Sequence, residues 1–180
     1  LKTMSLGLAV SPRGASHNRP GAYEADFSGA VDRFRGDAAR GALVAQSEDF
    51  AAVLDSLIVC KFLRKCFADF YSEAAEMLGA VTGWNYTAEE LRLTGQRIHT
   101  LKKLFNIREG WTPSSDWLPD RMFNEPLATG VGAGVGLSVA ELREMVQGYY
   151  QARQWDENGL VPEWKQAALG IAPLRPSPTA

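Results

Sequence analysis

From Ser47 onward, apolar residues recur at spacings of three and four: Phe50, Val53, Leu54, Leu57 and Ile58. That period predicts an amphipathic helix, with Ser47 as its N-cap and Glu48 and Asp49 in the first turn, where the helix dipole favours acids. A second helix is predicted over 68–81, with Phe70, Ala74, Met77 and Leu78 inward and TGWNY closing it. Thr87 and Glu90 form a capping box that opens a third helix, in which Leu91, Ile98, Leu101 and Leu104 share a face. This helix is expected to end before NIREGW. A proline-punctuated segment, 111–128, leads into the run GVGAGVG at 130–136. Ser138 and Glu141 make another capping box, at the head of SVAELREMVQGYYQARQW. The turn DENG then precedes a last short helix, with Pro162 near its first turn and Gly170 beyond its end. The pattern predicts an all-α fold, an irregular multi-helix domain.

Residues 11–21, SPRGASHNRPG, have the chemistry of a loop, and the stretch from there to Arg40 carries no decisive period. The chain therefore divides into a loop-rich segment at 1–46, a helical domain at 47–171 and a Pro-rich tail at 172–180, expected to be disordered. Its opening, LKTMSLGLAVSPRG, reads as the continuation of a longer polypeptide, of which these residues form a C-terminal part.

Composition narrows the function classes. With 180 residues, 46% hydrophobic, the chain is long enough to bury a core. A net charge of −2 leaves no basic footprint for nucleic acid. No apolar run approaches the ~20 residues of a membrane-spanning helix. Two cysteines make no disulfide framework, and Cys60 and Cys66, six apart, would sit on different faces of one helix. A reducing, cytoplasmic setting is the expectation.

The chemistry concentrates at a few positions. The glycines of GVGAGVG alternate and no strand precedes them, so the run reads as a connector rather than a phosphate-binding turn. His17 lies in the Gly/Pro-rich loop between Arg13 and Arg19. A scaffolded loop is a common place for catalytic groups, and two neighbouring guanidinium groups suit a proton acceptor. A solvent-exposed loop histidine fits the same residues. His99 reads as a helix-face residue with no obvious titratable partner, and Cys66 as a small buried or half-buried one. Asp55 and Cys60 are harder to assign to packing, because a carboxylate in an apolar run must find donors or stay wet. A heterocycle with an exocyclic amine and a ring N–H would supply two donors. A Cys60 thiolate suits an iron–sulfur cluster, but three further ligands are needed and the chain does not contain them.

The blocks SPRGASHNR (11–19), DSLIVCKF (55–62), TGWNYTAEELRLTGQRIHTLKKLFNIREGW (82–111), LPDRMFNEPL (118–127) and YYQARQWDENGLVP (149–162) resemble, in this order, the C-terminal part of the aldehyde:ferredoxin oxidoreductases. The resemblance runs from Leu1 to about Ile171. It implies tungsten or molybdenum held by a bis-pterin, beside a 4Fe-4S cluster, in an enzyme that oxidises aldehydes to carboxylic acids with ferredoxin as acceptor. It implies that Asp55 hydrogen-bonds the pterin, that Val59 offers it backbone contacts and that Arg19 touches it. Cys60 would be the last of four cluster thiolates, and His17 the proton donor and acceptor near the metal. The other three cysteines belong to an N-terminal domain absent here, which this chain would need as its partner. Ile58 stands where the family often has Gly, and Ser16 where it often has Cys, which leaves the subfamily and substrate open. Alternatives are a relative acting on an acyl-CoA or aromatic-ring substrate, or a helical module that has lost its cofactor.

Overall fold

The computed structural model describes residues 1–172. The expected disordered tail lies, from residue 173, outside the described residues. Among those described, the regular structure is entirely helical: α1 (Lys2–Val10), α2 (Tyr23–Phe27), α3 (Arg40–Ser56), α4 (Phe70–Thr82), α5 (Ala88–Arg108), α6 (Arg121–Asn124), α7 (Val139–Arg153) and α8 (Glu163–Ala168), with short 3₁₀ turns at Lys61–Lys65 and Pro113–Ser115. The all-α expectation holds.

Helix α3 is the central element, and glycines set how closely its neighbours approach. A Cβ on Gly148 of α7 would lie 2.0 Å from the Ala38 carbonyl oxygen, and one on Gly41 of α3 would lie 2.2 Å from the Gly148 backbone. On the other side, a Cβ on Gly95 of α5 would sit 2.6 Å from the Asp49 carbonyl oxygen. No real side chain fits at these distances, so backbone meets backbone at both crossings. The main core gathers around α1, α3 and α7, with Leu6, Val44, Leu142, Met145 and Tyr149 at its centre. A second core joins the C-terminal half of α3 to α4 and the start of α5 through Val53, Leu54, Phe70, Ala74 and Leu91.

Local signals read from the sequence form as drawn. Both capping boxes, Thr87 with Glu90 and Ser138 with Glu141, make their two reciprocal hydrogen bonds. Gly83 ends α4 in the left-handed conformation and Gly170 follows α8 at φ 63°.

Several expectations need correction. Helix α3 starts at Arg40 with no side-chain cap, so Ser47 is not an N-cap and Glu48 is an interior position, fully buried. Within the stretch expected to be loop-rich, Lys2–Val10 is a buried helix, the Thr3 and Met4 N–H groups of its first turn held by the Asp26 carboxylate. Helix α5 runs on to Arg108, and its inward stripe is Leu91, Gly95, His99 and Lys103, whereas Leu101 is exposed. The stripe is polar because α5 packs on charged partners, which apolar periodicity cannot register. Met77 is exposed although Phe70 and Ala74 are buried. Cys66 is exposed, not half-buried, and Cys60 and Cys66 bracket a 3₁₀ turn rather than sharing a helix.

Candidate functional site

The end of α3 delivers the acid and the thiol. The Ile58 N–H bonds to the Asp55 carbonyl and the Val59 N–H to the Leu54 carbonyl, the paired bonds of a Schellman motif. Val59 packs against the second core beside Leu54, which supplies the apolar contact such a cap favours. The motif requires a left-handed residue after the cap, and here that residue is Ile58 at φ 58°, its side chain 90% exposed. Asp55 thus stays on the last helical turn while Cys60 leaves the helix as an exposed thiol at the head of the 3₁₀ turn.

Three elements hold the loop at 11–19 against this helix end. The Asn106 side chain of α5 donates to the Pro12 carbonyl at 2.7 Å, and the Lys61 ammonium donates to the Asn18 carbonyl at 2.6 Å. Arg19 forms an ion pair with Asp55. His17 is exposed, its ring 6.5 Å from that of Tyr23.

One cleft of about 1260 Å³ opens here, and its wall carries His17, Arg19 and Asp55 together with Tyr23, Asp49 and Lys61. Three of the residues picked out from the sequence therefore meet in one cavity although 38 positions separate the first from the last. Cys60 adjoins it through Lys61. Val59 turns its side chain to the second core, and its N–H is engaged with Leu54.

Beneath the cleft lies a network that the sequence did not announce. Arg153 of α7 donates to the Ala45 carbonyl at 3.1 Å and to Glu48 at 2.8 Å, and also bonds to Asp49. The Tyr149 hydroxyl donates to Glu48 at 2.6 Å. His99, read as an unpartnered helix-face residue, is instead 4% exposed, with Nδ1 3.7 Å from the Glu48 carboxylate. Burial, followed by the Arg153 charge, pushes the imidazole well below its ordinary value, so it is neutral at pH 7. Burial also pushes the Glu48 carboxyl up, against the pull of Arg153 and Tyr149. The available signal was Glu48 and Arg153 sitting on apolar helix stripes, where an ion is buried only with a partner.

The donor set fits a pterin in part and a cluster only in part. A carboxylate and a guanidinium face the same cleft, as a heterocycle with donor and acceptor edges requires. One exposed thiol stands beside it, and among the described residues no group of three or more potential metal ligands assembles.

Residues 1–171 match the sequence model of the family described as aldehyde ferredoxin oxidoreductase, domains 2 & 3. The tungsten-containing aldehyde ferredoxin oxidoreductase of Pyrococcus abyssi is 31% identical over 170 residues, covering 92% of this chain and 27% of that protein. The protein of the same description from Thermococcus kodakarensis is 35% identical over 126 residues, 69% of this chain and 20% of its own length. The WOR-like subunit of an aliphatic sulfonate oxidoreductase from Pyrococcus furiosus is 30% identical over 174 residues, again 92% of this chain and 27% of its own length. The chain thus spans about a quarter or less of the relatives it matches.

Proposed function

Since the chain belongs to the aldehyde ferredoxin oxidoreductase family, we propose that it forms the helical side of a tungsten–pterin site oxidising aldehydes to carboxylic acids, with ferredoxin as electron acceptor. The observation that supports this most is the convergence of Asp55, Arg19 and His17 on one cleft, with the Cys60 thiol at the end of the same helix.

In this reading Asp55 accepts hydrogen bonds from the donor edge of the pterin, and Arg19 serves its acceptor edge. Val59 contributes its carbonyl oxygen, since its N–H is already bonded. Cys60 provides one thiolate to a 4Fe-4S cluster whose other ligands come from outside this chain, which has only one other cysteine. When bound, the metallopterin and cluster supply the two-electron acceptor and the onward electron relay. Conversion of an aldehyde and water to a carboxylic acid releases two protons with two electrons, and the His17 imidazole accepts one of those protons at the cleft wall. The loop tethers from Lys61 and Asn106 hold His17 where this transfer needs it.

The test compares Cys60→Ser with Cys66→Ser in the complete protein. Both thiols are exposed, so packing costs are alike. Cys60→Ser is expected to lose cluster iron and electron transfer to ferredoxin, whereas Cys66→Ser keeps both, with tungsten and iron read by elemental analysis. Full iron content in both variants would remove Cys60 from the site, and an absence of tungsten and iron in the unmodified protein would overturn the reading itself.

A further inference from the structure

The loop at 11–19 has two sides. One side walls the large cleft; the other closes, against α5, a separate cavity of about 380 Å³ lined by Pro12, Arg13, Arg19, His99, Leu101, Lys102, Phe105 and Asn106. Its size falls in the range of about 300–1,000 Å³ usual for small-molecule sites. The wall is almost wholly apolar, yet three cations stand around it. Among the described residues, neither Arg13 nor Lys102 has an ion-pair partner, and the third, Arg19, is committed to Asp55. Like charges held together round an apolar hollow repel one another, and here the repulsion reaches Lys102: burial, then the Arg19 charge, lower its affinity for a proton, Glu48 partly opposes them, and Arg13 adds a smaller push in the same direction as Arg19. A carboxylate among them would relieve that repulsion. One buried group, His99, reaches the wall, but its N–H is engaged by the Glu48 backbone, so the charged contacts fall to Arg13 and Lys102.

We propose that this pocket binds a small organic carboxylate, its head group between Arg13 and Lys102 and its apolar body against Pro12, Leu101 and Phe105. Arg13 and Arg19 line both cavities, so an anion held here lies one loop away from His17 and Asp55. That places the pocket to receive the acid formed in the large cleft, or to hold a carboxylate-bearing substrate before it enters. The assignment as substrate or product rests on the oxidoreductase reading; the binding itself does not.

The experiment is a calorimetric titration of the complete protein with benzoate, and with benzamide as the neutral counterpart of the same shape. Benzoate is expected to bind and benzamide not. Lys102→Gln, which removes one charge-assisted contact, should weaken benzoate about tenfold. Leu101→Trp, at an exposed position where a larger ring folds into the hollow, should abolish binding. Gln46→Ala, on the large cleft only, should leave it unchanged. Loss of binding on Gln46→Ala with none on Lys102→Gln would put the anion in the large cleft and overturn the proposal. So would equal binding of benzamide, or no benzoate binding at millimolar concentration, the result expected if another segment of the protein fills the hollow. Tungsten and iron measured on the same sample separate the two readings: metal-free protein that binds benzoate through Lys102 refutes the redox function and keeps the pocket.

Discussion

Ile58 shows how much one backbone angle can settle. A left-handed α conformation costs an L-residue roughly 1–2 kcal/mol, because Cβ crowds the following carbonyl, and β-branching makes that worse. Ile58 adopts it with its side chain 90% in solvent, so burial of that side chain offsets little of the cost. Glycine carries no such strain, and its greater unfolded-state entropy costs roughly 0.5–1 kcal/mol, so the balance at this position favours Gly. Ile58→Gly is therefore expected to stabilise the fold by about 0.5–1 kcal/mol, read as a higher urea midpoint with unchanged slope. Ile58→Ala, still an L-residue but unbranched, should gain less than the glycine variant. A glycine variant no more stable than the alanine one would mean that the turn after Leu57 is not left-handed in solution.

Among the elements, the junction of α1 with α7 carries a pH signature. The Glu141 carboxylate closes its own capping box through the Ser138 N–H, accepts from the Gly36 N–H at 3.1 Å and pairs with the buried Lys2 ammonium at 2.8 Å. Partial burial pushes its carboxyl up, but the Lys2 bond together with the Ser138 and Gly36 N–H groups outweighs that and holds it at about 2. A carboxyl depressed in the fold from its ordinary 4.5 adds stability that is complete above about pH 4.5 and is lost as pH falls toward 2. Glu141→Gln should lower stability at pH 7 and flatten its dependence between pH 4.5 and 2, measured as urea midpoints across that window. An unchanged acid limb would show that another carboxyl carries it. Lys2 is part of the same unit, so Lys2→Met should give part of that flattening, the Ser138 and Gly36 N–H groups keeping the rest.

At the scale of the whole molecule, the two cores close without any group from outside the chain, whereas the candidate site does not. The cores and glycine crossings join α1, α3, α4, α5 and α7 into one body. The proposed cluster would find only one thiol, Cys60, beside the open cleft. The 180-residue chain expressed alone is therefore expected to give a helical circular dichroism spectrum and a cooperative thermal transition, but no visible absorption from iron and sulfide after reconstitution. A stoichiometric 4Fe-4S band in that preparation would show that this chain can complete the ligand set, against the count of its cysteines.

What the sequence determined by itself is what neighbouring residues decide among themselves. The capping boxes at Thr87 and Ser138, the glycine end of α4 and the loop character of 11–21 are local, since each is settled by contacts within a few positions. The ordered motifs also revealed the family. The beginning of α3 was not legible, because no cap marks Arg40 and the helix extends there through the crossing of Gly41 with Gly148, about a hundred positions apart. Glu48 read as a first-turn acid and His99 as a helix-face residue without an obvious partner because the Tyr149 and Arg153 groups that bury Glu48 arrive from α7, and His99 meets Glu48 only where α5 crosses α3. The cleft likewise depends on Arg19 reaching Asp55 across 36 positions and on the tethers of the loop. Which side chains share a cavity, and which charges are buried together, follows from helix packing over long separations, and only the tertiary structure decided it.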